Sequence, residues 1–228
     1  MQAVLWRKQA LEAALPRALR KIEAPADRGL ARSIASLTLR WLPDLDDLID
    51  GATERTLSPE APARMVLRIA LTQALVLKTP DHAVVSTALP LVEGAPRRLV
   101  HGVLARLLRE SAELPEHPTL PDPWATRWTL SWGEEVVAAA GRSLAQPAPV
   151  DLQFGRDFPA PEGGISLLPN HVRLPAGGRI EDIPGFQEGA WWVQDIAASL
   201  PARILAPTPG ERVLDMAAAP GGKTMQLA

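Results

Sequence analysis

Four prolines within nine residues, Pro115, Pro118, Pro121 and Pro123, divide this chain in two. Proline has no amide hydrogen, fixes φ and pushes the preceding residue toward extended backbone, so no regular helix crosses 111–123 and the segment reads as a linker. Before it, apolar residues recur at helical spacing: Val4, Leu11, Leu15, Leu19 and Ile22, then Leu30, Ile34, Leu37 and Trp41. Pro43 and an acidic run, Asp44, Asp46, Asp47 and Asp50, interrupt the pattern. Ser58-Pro59 reads as the N-cap and first helical residue of a helix covering 63 to about 77, which is apolar on most sides and so central. Thr79-Pro80-Asp81 ends it. Helices over about 82–91 and 97–109 follow, separated by a turn at Gly94-Ala95-Pro96. About five or six helices with short connections predict a mainly α N-terminal bundle over 1–110.

Beyond the prolines the character changes. Asp122-Pro123 opens a helix through Trp124 and Trp128, and another follows over about 134–144 with acids in its first turn. Residues 147–190 are rich in Gly and Pro and carry short β-prone pieces at 150–154, 165–168 and 171–174. The last two flank Pro169-Asn170, a hairpin turn by spacing. Residues 195–205 read as a helix. Residues 212–216 read as a buried strand, running into Ala217-Ala218-Ala219-Pro220-Gly221-Gly222-Lys223-Thr224.

With 228 residues, 46% apolar and only 22% charged, the chain has the apolar mass for a folded core, and its net charge of −2 excludes disorder as the main state. No run of 18 apolar residues offers a membrane span, and the charged start is not a secretory signal. Zero cysteines exclude a disulfide framework, a thiolate metal site and a nucleophilic thiol in this chain. Four scattered histidines do not make a zinc site, so no metal is expected. A cytoplasmic monomer is the expectation.

Charge is uneven. Residues 1–110 hold 16 basic against 12 acidic side chains, and residues 111–228 hold 8 against 14. Within 1–40 the balance is 8 basic to 3 acidic. This stretch is either a solvated helix face or a surface for an anionic partner such as RNA. For RNA contact the candidates are Arg17, Arg20, Lys21, Arg28 and Arg32.

A buried strand, a Gly-rich turn and a helix start make a ligand cradle, because glycines admit close approach and the first helix amides are unpaired donors. Two chemistries compete for it. A phosphate loop would use Gly222-Lys223-Thr224, but Ala217 stands where that pattern needs its first glycine. An S-adenosylmethionine (AdoMet) loop takes an acid at the strand end and a small-residue turn, which Asp215 and Ala217, Ala218, Ala219, Pro220, Gly221 and Gly222 supply. A purely structural turn is the third reading. Asp215 can order the turn through backbone amides, and Thr224 can support the helix start. Lys223 either reaches a ligand or lies in solvent. Gln194 and Asp195 can shape the site, Asp195 equally as a helix cap. His82 and His101 read as surface or packing residues. Trp191 and Trp192 read as core or as a base-stacking pair. The other five tryptophans read as core or inter-helix wedges.

The stretch Val213-Leu214-Asp215-Met216-Ala217-Ala218-Ala219-Pro220-Gly221-Gly222-Lys223-Thr224 closely resembles the AdoMet-binding motif of the RNA cytosine-C5 methyltransferases, the Sun/nucleolar-protein family. Ile183-Pro184-Gly185-Phe186-Gln187-Glu188-Gly189 and Val193-Gln194-Asp195 resemble that family's approach to the motif. The helical half resembles a NusB-like RNA-binding domain at Pro80-Asp81-His82-Ala83-Val84-Val85 and Arg98-Leu99-Val100-His101-Gly102-Val103-Leu104. Together they resemble the bacterial 16S rRNA branch of the family.

The resemblance implies a NusB-like domain over 1–110, the 111–123 linker, a small α/β subdomain over 124–190, and the first strand-loop of a Rossmann-like AdoMet domain over 191–228. It implies AdoMet held by Ala217, Ala218, Ala219, Pro220, Gly221, Gly222 and Lys223, with an unpaired cytidine of 16S rRNA as substrate. In that chemistry a thiolate adds to C6, C5 takes the methyl group, and loss of the C5 proton expels the thiolate. Where the family usually has Cys before Ala218-Ala219-Pro220, this chain has Ala217, a loop position and not the nucleophile. The nucleophile belongs downstream of the turn, so the chain is read as the N-terminal part of a longer enzyme that is itself inactive and binds AdoMet weakly or not at all. A parallel strand at 212–216 has no partner strands in this sequence, so residues from about 206 onward are expected to pack poorly. Alternatives are an RNA-binding, antitermination-like module without catalysis, and a P-loop nucleotide hydrolase.

Overall fold

The computed structural model describes residues 1–155, 159–175 and 180–228. They fold as two compact units, Met1–Gln146 and Pro147–Ala228. The first is helical: α1 (Gln2–Leu5), α2 (Leu11–Leu19), α3 (Pro25–Arg40), α4 (Leu42–Gly51), α5 (Pro62–Leu71), α6 (Asp81–Ala88), α7 (Gly94–Arg109), α8 (Trp124–Trp132) and α9 (Glu134–Ala145). The second holds β1 (Val150–Phe154), β2 (Ile165–Leu168), β3 (His171–Leu174), β4 (Trp191–Val193), α10 (Ile196–Leu205) and α11 (Gly222–Leu227). The architecture is mainly helical with one small antiparallel sheet.

In the first unit α5 is the central helix predicted, with eight buried residues from Ala63 to Leu71. It packs with Leu45, Ile49, Val84, Val100 and Leu104, all fully buried, from α4, α6 and α7. Its start differs from the sequence reading. Pro62 occupies the first turn, and Ser58 instead closes a preceding turn with the Ala61 amide on its carbonyl at 2.9 Å. Either proline suits a helix start, and the apolar stripe decides between them. The helix continues as a π-turn over Thr72–Val76, where the Leu77 amide reaches back to the Thr72 carbonyl at 3.1 Å.

Two further differences have local causes. The apolar face of Val4 to Ile22 is broken into two helices, with Lys8 at φ +55° between them. The acidic run is itself helical: Pro43 sits in the first turn of α4, where its missing amide costs nothing, and Leu45 and Ile49 face the core. Asp46 and Asp50 turn to α5. Asp46 takes Arg68 Nε and Nη2, both at 2.7 Å, and Arg64 Nη1 at 2.9 Å, while Asp50 takes Arg64 Nη2. Both arginines are buried. Burial works against the Arg64 charge, but the hydrogen bonds to Asp50 and Asp46 outweigh it and raise its pKa. Thr38 of α3 and Thr72 share a buried hydroxyl contact of 2.9 Å, and each hydroxyl also lies within reach of the carbonyl four residues back, so that one donates across the pair and the other to its own carbonyl.

The proline segment is not helical, yet it is fastened down. Leu114 packs on the core, Leu120 is buried, and Asp44 accepts from the Thr119 amide at 3.0 Å and the Thr119 hydroxyl at 2.5 Å. Arg40 Nη1 donates to the carbonyls of Leu144 and Gln146 at 3.2 and 2.9 Å, so α8 and α9 group with the helical unit.

In the second unit the strands run in the order β2-β3-β1-β4, all antiparallel. The hairpin at Pro169-Asn170 forms as spacing predicts, with Asn170 at φ +57°, a value this side chain tolerates. Leu152, Phe154, Val172 and Trp191 make the core. The strand expected at 212–216 is not formed. Leu214 is 81% exposed and Met216 90%, and no residue in 206–228 is buried. No described strand lies beside it to take its amides and carbonyls, and an unpaired apolar segment has no reason to stay extended.

Candidate functional site

The Gly-rich turn folds around Asp215. One carboxylate oxygen accepts the Ala217 amide at 3.0 Å and the other the Thr224 hydroxyl at 2.7 Å. These bonds tie the two ends of the turn together. Gly221 lies at φ +116°, where only glycine is comfortable, and precedes α11. Ala217, Ala218, Ala219 and Pro220 are exposed, and Gly221, Gly222 and Lys223 are partly so. The turn therefore presents backbone and methyl groups to solvent, with Asp215 spent on its own support. Beside it a cavity of about 900 Å³ is lined by residues that include Asp215, Thr224, Pro207 and Arg203.

Gln194, just after β4, lies against this turn. Its Oε1 accepts Trp192 Nε1 at 2.6 Å, and its Nε2 donates to the Ala198 carbonyl at 3.1 Å and to Gln226 Oε1 at 2.7 Å. A Cβ on Gly222 would come within 3.2 Å of Gln194 Cδ and 3.3 Å of Oε1. Asp195 caps α10 through the Ala197 amide at 2.8 Å. Trp191 is buried, donating Nε1 to the Pro184 carbonyl at 2.7 Å and touching the Phe186 ring. Trp192 lines a second cavity of about 610 Å³ with Gln153, Asn170 and Arg203.

Sequence reasoning missed the buried polar cluster on β1 and β3. Asp151 and Arg173 are register partners across the strands, and Arg173 Nε and Nη2 reach the carboxylate at 2.7 and 2.8 Å. Asp151 Oδ2 also accepts the Ile196 amide at 3.0 Å and so holds the start of α10 against the sheet. The Arg173 bonds, with the Ile196 amide, outweigh burial and keep the Asp151 pKa below the ordinary carboxylate value. His171, fully buried, sets Nε2 3.3 Å from the Gln194 carbonyl. Opposite charges 22 positions apart give no periodic signal; only the pairing of β1 with β3 brings them together.

In the helical unit Arg17, Arg20, Lys21, Arg28 and Arg32 are all exposed, on or between α2 and α3. Arg32 pairs with Glu12 at 3.0 Å, and Arg28 Nε donates to the Ile22 carbonyl. His82 and His101 are exposed, as read. Of the five tryptophans read as wedges, Trp41 is buried but Trp124 and Trp132 are more than half exposed. The α8–α9 pair offers too little cover for three indoles on one nine-residue helix. Among the described residues no cluster of His, Asp and Glu could hold a metal ion, and no helix is long and apolar enough to cross a membrane.

Residues 2–109 match the model of the NusB family. The whole chain aligns with curated proteins named Ribosomal RNA small subunit methyltransferase B. It is 30% identical to that of Pseudomonas putida, over 58% of that protein, and 32% identical to that of Xanthomonas campestris pv. campestris, over 56%. The relative from Klebsiella pneumoniae subsp. pneumoniae is 29% identical over 58% of its length. The chain thus spans little more than half of these relatives. The crystal structure of PH0851 shares the fold at 20% identity with a TM-score of 0.54, over 95% of this chain and 56% of that one. Residues 2–109 are thus similar to the NusB family, and the chain is similar over its whole length to part of the proteins named Ribosomal RNA small subunit methyltransferase B.

Proposed function

We propose that this chain contributes the RNA-binding and donor-binding front part of an AdoMet-dependent rRNA methyltransferase acting on cytosine C5 of 16S rRNA. The observation that carries the reading is that the similarity to rRNA methyltransferase B proteins runs through the helical domain and the Gly-rich turn alike. The turn suits the donor: a positive-φ glycine, a short helix start, small side chains and an internally satisfied acid leave the backbone open to a ligand. Ala217, Ala218, Ala219, Pro220, Gly221, Gly222 and Lys223 hold AdoMet, which supplies the methyl group when bound. In this reading 191–228 is the entry to a Rossmann-like domain, and 124–190 leads into it. The chain has no cysteine, so the thiolate that adds to cytosine C6 is not among its residues.

The helical unit brings the turn to RNA through Arg17, Arg20, Lys21, Arg28 and Arg32. If about four of these touch phosphates of a single-stranded segment, log K falls against log salt with a slope of roughly −3. Nitrocellulose binding of 16S rRNA fragments across a salt series measures it, and a slope near zero removes the helical unit from RNA recognition. Calorimetry with AdoMet and ATP in parallel addresses the turn. Heat with AdoMet alone supports the donor reading; heat with ATP alone overturns it in favour of a phosphate loop.

A further inference from the structure

We propose that Gln194 is a positioning residue for the Gly-rich turn. Its carboxamide is the floor on which Gly222 rests, and it links that turn to β4, α10 and α11. The inference rests on the donor-binding reading of the turn for its functional meaning, but its geometry stands without it.

The carboxamide is fully committed to neighbours on three elements. Its oxygen takes the Trp192 indole N–H at 2.6 Å, from β4. Its nitrogen gives one hydrogen to the Ala198 carbonyl of α10 at 3.1 Å and another to Gln226 Oε1 of α11 at 2.7 Å. Gln226 then passes its own Nε2 hydrogen to the Ser199 carbonyl at 3.3 Å. The backbone amide of Gln194 is fixed as well, on the Asp151 carbonyl at 3.0 Å. The group therefore has one orientation, because a flipped amide would oppose the indole donor with an NH2 and two acceptors with an oxygen.

Gly222 lies directly on this group. A methyl at that position would meet Cδ at 3.2 Å, Oε1 at 3.3 Å and Nε2 at 3.5 Å. Gly222 does not have a positive φ, unlike Gly221, so the demand for glycine here comes from the carboxamide below and not from backbone strain. To admit that methyl the carboxamide must give by a few tenths of an ångström against the three hydrogen bonds that hold it. The turn's height above β4 and α10 is thus set by Gln194. This gives the second residue of the Val193-Gln194-Asp195 stretch a task distinct from that of Asp195, which caps α10.

The test uses the whole 228-residue chain and nitrogen-15 NMR. The Trp192 indole N–H reports the Gln194 oxygen, and the amides of Gly221 and Gly222 report the turn. Gly222→Ala is expected to shift the Trp192 indole resonance, because the methyl displaces the carboxamide. Gln194→Ala is expected to shift the indole and the Gly221 and Gly222 amides together. Adding Gly222→Ala to Gln194→Ala is expected to leave the indole where Gln194→Ala put it. An unchanged fingerprint of Leu152, Val172 and Trp191 shows that the sheet core remains folded in each variant. If Gly222→Ala leaves the Trp192 indole unmoved, or shifts it equally with and without Gln194, the proposal is overturned. Titration with AdoMet and with ATP separates the two ideas. Because this chain is expected to bind AdoMet weakly or not at all, coupling without an AdoMet shift at Gly221 and Gly222 upholds the positioning role alone, whereas a shift there with ATP and none with AdoMet counts against the donor reading.

Discussion

At Asp151 two carboxylate oxygens accept three hydrogen bonds, two from Arg173 and one from the Ile196 amide, in a side chain that is almost wholly buried. Asp151→Asn leaves Arg173 without its counter-charge and is expected to destabilise the sheet unit by about 2–4 kcal/mol, read from its chemical denaturation. The sign of the pH effect follows from the direction of the shift. The folded carboxyl has a depressed pKa, so its stabilisation is complete above the unfolded value of about 3.9 and fades as pH falls through the folded one. The stability gap between wild type and Asp151→Asn is therefore expected to hold from pH 7 to about 5 and to close in stronger acid. The Thr38–Thr72 pair makes a different prediction. Either single change to Val removes the hydroxyl contact, while the remaining threonine keeps its own carbonyl, and costs about 0.5–1.5 kcal/mol, whereas the double change costs less than the sum. Neither site announces itself in the sequence, because threonine inside an apolar helix and aspartate inside a strand look like ordinary surface choices.

Among the elements, α4 shows what sequence reading weighs badly. Four aspartates within seven residues after a proline suggest a solvated turn, yet Pro43 starts a helix and Leu45 and Ile49 anchor it. Two of those acids are there to neutralise Arg64 and Arg68 on the most buried helix of the bundle. Asp46→Ala removes one partner of Arg64 and all the carboxylate contacts of Arg68, and is expected to cost about 3 kcal/mol or more in the helical unit, read as a lowered melting temperature. Replacing Asp46, Asp50, Arg64 and Arg68 together with apolar residues should cost far less, since no buried charge is then left alone. The helices over 63–77 and 97–109, the hairpin at 169–170 and the helix over 195–205 were legible in local periodicity or turn chemistry, although α7 starts at Gly94 and takes in the Gly94-Ala95-Pro96 stretch read as a turn. β4 was not legible, since it forms against β1, distant in sequence, and the break at Lys8 and the π-turn were not, since they are local backbone departures that apolar periodicity does not encode.

For the molecule as a whole, the Gly-rich turn was the most legible feature and its strand the least. The motif over 213–224 points to a buried strand, but burial is a property of neighbours, and here Val213 is 41% and Leu214 81% exposed with no strand beside them among the described residues. Their amides are expected to exchange with solvent nearly as fast as in an unfolded peptide, while those of Leu152 and Val172 are protected. Slow exchange at Val213 and Leu214 would contradict this packing. The fastening of the proline segment has its own consequence for anyone who wishes to dissect the protein. The family match stops at residue 109, yet the cover of that bundle does not. A recombinant fragment cut at 109 would strip away Leu114 and Leu120 and leave Asp44 facing a hole where Thr119 had been. Such a fragment should be sticky and short-lived, whereas one cut after Gln146 keeps its lid and the two carbonyl moorings of Arg40.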